Sequence, residues 1–143
     1  MHGAIAETRS CVSLIEELKA ALGPGAVFSG DDVPDRARSD ASETGRHRPL
    51  VLVRPSTTQD VSAALAICWQ HHQSVVQQGG MTGLAGGANP GPGDVALSLD
   101  RMSGIEEMDT EAATITLRAG TVLQVAQEAT GVSTQRNPHR LSR

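Results

Sequence analysis

Apolar residues near the start of the chain fall at Cys11, Leu14, Ile15, Leu18 and Leu22, spacings of i, i+3, i+4, i+7 and i+11 that line one helical face. Gly23 and Pro24 end that helix. From Ser29 to His47 the chain is polar and charged without a sustained period and reads as a loop. Leu50-Val-Leu-Val53 is a short continuous apolar run, as in a buried strand, and Pro55 stops it. Thr57-x-x-Asp60 is a capping arrangement for a second helix, on which Val61, Ala64, Leu65, Cys68 and Trp69 share a face. Val75-Val76 marks a second strand. Val95, Leu97 and Leu99 alternate as a third, residues 104–109 continue extended, and Thr114-Ile-Thr-Leu-Arg118 alternates cleanly. Thr121-x-x-Gln124 is expected to cap a last helix through Val122, Val125, Ala126 and Ala129. The strand–helix–strand middle is a βαβ unit, which predicts parallel strands. The tail, residues 131–143, has no hydrophobic period and is expected to stay disordered.

Between the second and third strands lies Gln78-Gly-Gly-Met-Thr-Gly-Leu-Ala-Gly-Gly87. Glycines at this density free the backbone to curl and let its N–H groups meet an anion without Cβ obstruction. Three phosphate motifs compete. A P-loop needs Gly-Lys, and no such pair occurs in the chain. Gly91-Pro-Gly93-Asp-Val-Ala96 has the letters of a dinucleotide fingerprint, but Ala96 sits in a strand pattern and not at a helix start. What remains is a strand–loop–strand phosphate loop, weighed against a plain linker between lobes. Its position between two β-runs, with Thr and Leu inside the glycine cluster, favours the phosphate loop.

Composition narrows the partners. The net charge of −4 and pI near 5.7 give no electrostatic case for nucleic acid. Phe28 and Trp69 are the only aromatics, too few for a base-stacking platform. Only Lys19 among the 12 basic residues is a lysine, a bias that reads as genome composition. No membrane span is expected. Cys11 and Cys68 form no C-x-x-C pair and read as reduced core cysteines in a cytoplasmic protein. Asp31, Asp32, Asp35 and Asp40 read as a solvated acidic loop, with no metal-ligand spacing. His71 and His72 read as helix-terminal residues. No G-x-S-x-G elbow supports Ser98 or Thr121 as a nucleophile.

Four segments occur in order: Arg54-Pro55-Ser-Thr-Thr-x-Asp-Val61, the loop Gln78–Gly87, Leu97-Ser-Leu-Asp-Arg-Met-Ser-Gly-Ile105, and Ala119-Gly-Thr-Val-Leu123. Together they resemble the start of the FAD-binding domain of the vanillyl-alcohol oxidase/p-cresol methylhydroxylase (PCMH-type) flavoproteins. Within that family they are most similar to glycolate oxidase flavoprotein subunits and D-lactate and D-2-hydroxyglutarate dehydrogenases. The resemblance covers roughly residues 40–129. It implies an α+β fold with a first βαββ lobe over about 45–110 and the start of a second lobe after 112, truncated. The chain divides on this reading into an N-terminal helix and polar loop (1–44), a partial FAD-binding domain (45–130) and the tail.

The resemblance further implies that Gln78, Gly79, Gly80, Met81, Thr82, Gly83 and Leu84 wrap the FAD pyrophosphate, with Pro55 near the adenosine. Thr82 stands where some members carry a flavin-linking histidine, so the FAD is expected to be non-covalent. Two positions depart from the family pattern. Gln77 stands where proline is common, and Met81, with its bulky thioether, where asparagine or glycine is common. A weak or incomplete site is therefore expected. The implied parent activity is oxidation of a D-2-hydroxy acid by hydride transfer to FAD. No catalytic residue is identified, so this chain, read as a truncated or frameshifted product, is expected to be inactive alone. The alternative is a non-catalytic nucleotide-binding or assembly subunit completed by a second polypeptide.

Overall fold

The computed structural model describes residues 3–42 and 44–131, with side chains from Cys11 onward. The expectation of a disordered tail therefore falls, Gly131 apart, outside the described residues. Helix α1 (Gly3–Leu22) leads through three short 3₁₀ turns and strand β1 (Val27–Ser29) to β2 (Val51–Val53). Then follow α2 (Thr58–Gln70), β3 (Val75–Gln78), β4 (Val95–Ser98), the pair β5 (Ile105–Asp109) and β6 (Thr114–Leu117), and α3 (Leu123–Ala129). The fold is mixed α+β. No described helix is long and apolar enough to cross a membrane.

Four strands form one sheet in the order β1-β2-β4-β3, with β2, β4 and β3 parallel and β1 antiparallel on the edge. The period of two along each strand sorts side chains to opposite faces. Val51, Val53, Val95 and Leu97 join Leu14 and Leu18 of α1 and Ala64 and Cys68 of α2 in the main core. Leu52 and Ala96 point the other way, into a smaller core with Val33 and Ala37. Burying each such aliphatic side chain stabilises the fold by about 1.5–3 kcal/mol. The helices thus cover one face, and the chain between β1 and β2 covers the other.

Several expectations are corrected. The region 29–47, read as one polar loop, contains the turns Gly30–Asp32 and Asp35–Ala37 and supplies Val33 and Ala37 to the second core. Strand β1 before it was not legible, because three residues give almost no period. On α2, Trp69 is 80% exposed and Leu65 44% exposed, so the buried stripe is Ala64 and Cys68 with Val61 and Ile67 beside it. Thr57 and Asp60 do form the reciprocal cap. Thr121, by contrast, caps nothing. Its hydroxyl donates to Arg118 O at 2.7 Å, with Gly104 O at 3.0 Å as the alternative acceptor, and accepts from Gly104 N–H at 3.0 Å, closing the base of the β5–β6 pair. The cap position of α3 is Val122.

β2 and β3, the strands of the βαβ unit, are parallel but not neighbours, because β4 inserts between them. Parallel neighbours need a crossover of a dozen or more residues, usually a helix. Between β3 and β4 that crossover is the glycine-rich segment itself, residues 79–94.

Candidate anion site at the carboxyl ends of the parallel strands

Because β2, β4 and β3 run the same way, their carboxyl ends open at one edge of the sheet. Arg54 and Pro55 leave β2 there, Gly79 leaves β3, and Leu99 and Asp100 leave β4. The chain departs β2 into α2 on the helix face and departs β3 into the glycine crossover toward the opposite face. Crevices outside strand carboxyl ends where connections diverge are the usual ligand positions of parallel sheets.

Gln78 fixes the start of the crossover. It is fully buried, and its Nε2 donates to Ala37 O at 2.8 Å and to Ala88 O at 3.1 Å. One amide thereby ties β3 to the turn Asp35–Ala37 and to the far side of the crossover. Met81 O accepts from Ala41 N–H at 3.1 Å, and Met81 itself has φ 58°. A non-glycine residue in the left-handed region costs on the order of 1 kcal/mol. Backbone conformation therefore explains why asparagine or glycine suits this position better than the bulk of the thioether does.

The later half of the crossover folds around Asp40, which is 5% exposed and so is no solvated acid. Asp40 N–H donates to Asn89 Oδ1 at 2.6 Å, and Asp40 Oδ1 accepts from Ser42 N–H at 3.0 Å and Ser42 Oγ at 2.5 Å. The Ser42 hydroxyl, against the opposing pull of burial, and then the N–H groups of Ser42, Ala88 and Gly86 hold this carboxyl below its usual range. Gly86 has φ 75°, and a Cβ there would meet Thr44 Oγ1. At the end of the crossover Asp94 Oδ2 accepts from Gly91 N–H at 2.7 Å, and Asp94 Oδ1 accepts from Ser74 Oγ.

Gly79 and Gly80 are different. Neither has a positive φ; nothing lies within 4 Å of a Cβ built on Gly79, and only Thr82 Oγ1, at 4.0 Å, approaches one on Gly80. Among the described residues no acceptor meets the N–H groups of Gly79, Gly80, Met81 or Thr82. Nothing inside the fold calls for glycine at 79 or 80. The missing side chains instead leave open space beside unpaired donors, which suits a closely approaching anion.

Of the residues expected at the site, Gly79, Gly80, Met81 and Thr82 lie together at this edge. Gly83 turns toward Asp40 Oδ2, 3.4 Å from its Cβ position, and Leu84 stands 80% exposed at the tip of the loop. Gln78 and Pro55 are buried, Gln78 beside the small gap that Gly79 and Met81 also line. Sequence reasoning missed the arginines and Asp100. Arg54 Nε and Nη2 reach Asp100 Oδ1 at 3.1 Å and Oδ2 at 2.8 Å, and Arg36 Nη2 also bonds Asp100 Oδ2. Burial raises the Asp100 carboxyl, but hydrogen bonds and charge from Arg54 and Arg36 outweigh it and leave the pKa below the ordinary value. Arg54 also lies 5.8 Å from the centre of the Phe28 ring. Arg54 and Asp100 both sit inside the family-like segments, so position marked them although no charge pattern did. Among the described residues no cluster of three potential metal ligands occurs.

Comparison with known proteins agrees with this geometry. Residues 49–141 match the family described as FAD binding domain. The chain is 33% identical over 118 residues to D-lactate dehydrogenase of Anaerostipes hadrus, covering 81% of this chain and 25% of that protein. It is 35% identical over 104 residues to the mitochondrial D-2-hydroxyglutarate dehydrogenase of Danio rerio, covering 73% of this chain and 20% of that protein. The chain thus spans a fifth to a quarter of the length of these relatives. Among solved structures, p-cresol methylhydroxylase with substrate bound aligns with a TM-score of 0.68 at 22% identity, over 86% of this chain and 25% of that one. An alkyldihydroxyacetonephosphate synthase aligns with a TM-score of 0.73 at 15% identity, over 84% of this chain and 24% of that one. These likenesses establish a PCMH-type fold. With an open, glycine-lined donor set where its strands end, the chain belongs to the FAD binding domain family of FAD-linked oxidoreductases.

Proposed function

We propose that the N–H groups of Gly79, Gly80, Met81 and Thr82, the Thr82 hydroxyl and the neighbouring turn at Gly83–Leu84 hold the pyrophosphate of a non-covalent FAD. Gln78 and Pro55 set the position of that loop from beneath. The observation that carries this reading is the pair Gly79–Gly80 at the end of β3, whose missing side chains serve no internal need and border N–H donors that meet no acceptor among the described residues. Residues 45–130 are read as the partial FAD-binding domain, and 1–44 as an N-terminal segment whose described part adds β1 to the sheet and α1 to the main core.

Bound FAD supplies a hydride acceptor; the protein's task is to bind and orient it. The parent reaction we infer is oxidation of a D-2-hydroxy acid, the substrate class of the glycolate oxidase-, D-lactate- and D-2-hydroxyglutarate-type enzymes that the sequence resembles. Among the described residues we assign none to taking a substrate proton or clamping a substrate carboxylate. We infer that the chain alone turns over no hydroxy acid and, with a left-handed Met81 and with Gln77 where the resembled family has proline, binds FAD weakly. Completion by a further polypeptide segment is supported by the apolar side chains left exposed on β5 and α3: Ile105, Met108, Leu123 and Val125. The free thiols Cys11 and Cys68 fit a reducing, cytoplasmic setting.

A fluorescence titration of FAD with the purified chain, paired with circular dichroism, tests the reading. Saturable quenching by a folded protein is the expected result. A folded chain without saturable quenching overturns it.

A further inference from the structure

Arg36 occupies a position that the pyrophosphate reading leaves unused. It leaves the 3₁₀ turn Asp35–Ala37 and borders two adjoining hollows. The wider, about 490 Å³, is lined by Asp35, Arg36, Ser39, Asp40 and Arg46. The narrower, only about 10 Å³, is a gap at the edge of the second core between Ala37, Leu52, Gln78, Gly79, Met81 and Ser98; it is too small for a phosphate, but it places Arg36, which lines both hollows, beside the start of the crossover.

Its present partner does not need it. Asp100 already receives a two-pronged contact from Arg54, whose side chain is 25% exposed, whereas that of Arg36 is 61% exposed. Releasing Arg36 leaves Asp100 paired and gives up only an exposed ion pair, the kind that contributes little to stability. The crossover, meanwhile, presents N–H donors but no cation of its own, and no helix N-terminus lies behind it. A pyrophosphate seated there brings about two negative charges, in the spirit of the phosphate groups that planar guanidinium forks match.

We propose that Arg36 is a phosphate-binding side chain of this site, moving from Asp100 to the pyrophosphate of a bound dinucleotide. The inference rests on reading Gly79–Thr82 as the pyrophosphate loop. Arg54 stays on Asp100 throughout and keeps the end of β4 in place. Arg36 then acts as the mobile cation and Arg54 as the fixed one.

The test is FAD titration of the full chain at low and high salt, with inorganic pyrophosphate as competitor, for wild type, Arg36→Gln, Arg36→Lys and Arg46→Gln. The expected result for Arg36→Gln is about tenfold weaker FAD binding, a flatter salt dependence and a similar loss of pyrophosphate competition, with unchanged melting. Arg36→Lys recovers part of the loss. Arg46→Gln, which lines only the wider hollow, stays within about twofold of wild type. Unchanged affinity and salt dependence in Arg36→Gln overturn the proposal. So does weaker FAD binding with salt dependence and pyrophosphate competition intact, since a structural tether would act that way. If wild type binds no FAD, the pyrophosphate-loop reading itself falls and Arg36 falls with it.

Discussion

Two stretches of the β3–β4 crossover, residues 79–82 and 83–89, are both rich in glycine and use it differently. In residues 83–89 the fold uses Gly86, which needs its positive φ and has no room for a Cβ, and the segment closes on Asp40 through Gly86 and Ala88 N–H and Asn89 Oδ1. In residues 79–82 the fold makes no such demand. Gly79 and Gly80 adopt ordinary φ and border open space, and among the described residues no acceptor meets their N–H groups. Open space alone does not mark a ligand site, since Gly87 has it too; what sets Gly79 and Gly80 apart is that they sit where β3 ends, beside N–H groups that meet no acceptor among the described residues. The internal half also matters to the external one, because Asp40 already satisfies the amides nearest to it and holds the crossover in shape before any ligand arrives.

The comparison can be broken by substitution. Gly120→Ala sets the upper mark for a glycine demanded by packing: its Cβ would overlap the Leu99 carbonyl oxygen, with Met102 O a further 3.1 Å contact. We expect a loss of about 3 kcal/mol, measured by denaturant unfolding. Gly86→Ala should follow at about 1–2 kcal/mol, since strain is added and the neighbouring Thr44 hydroxyl can rotate aside. An unfolding midpoint equal to wild type for Gly86→Ala would erase the distinction between the halves.

Acid should separate the halves as well. Asp40 is held low chiefly by Ser42, Asp94 chiefly by the Ser74 hydroxyl, and Asp100, despite burial, by Arg54 and Arg36. Carboxyls lowered on folding stabilise the protein above their ordinary value of 3.8, and that contribution is lost as pH falls through the folded value. Amide hydrogen exchange is therefore expected to show protection at Gly86, Ala88 and Gly91 at neutral pH that disappears in acid below that value. Gly79 and Gly80 should exchange freely in both conditions.

Two smaller effects sharpen the outer half. Met81→Asn relieves left-handed strain and should raise the melting temperature by about 2–4 °C. Gly79→Ala should change stability by less than about 0.5 kcal/mol yet weaken FAD binding measurably, because its methyl enters the space left for the ligand. A Gly79→Ala variant that unfolds as easily as Gly86→Ala would show that the outer half is structural after all.

Much of the scaffold was legible because local pattern carries it. The run Leu50–Val53, the alternation Val95–Leu97–Leu99 and the Thr57–Asp60 cap each report their element within a few residues. Trp69 misled, since helical period places a side chain at an angle but does not say how wide the buried stripe is. Asp40 misled more, because a carboxylate amid polar neighbours looks solvated until the chain that folds over it is known.

From the sequence alone come the parallel strands, the glycine segment that must link two of them, and the family-like order of four motifs. These depend on neighbours close along the chain, where backbone propensity and side-chain period act. The tertiary structure decided which glycines face outward, that Asp40 lies inside the crossover, and that Arg36 and Arg54 meet on Asp100. Those contacts join residues 64 and 46 positions apart. They exist only because β4 slides between β2 and β3 and brings three strand ends to one edge, an order set by burying both faces of the sheet and not by any local pattern.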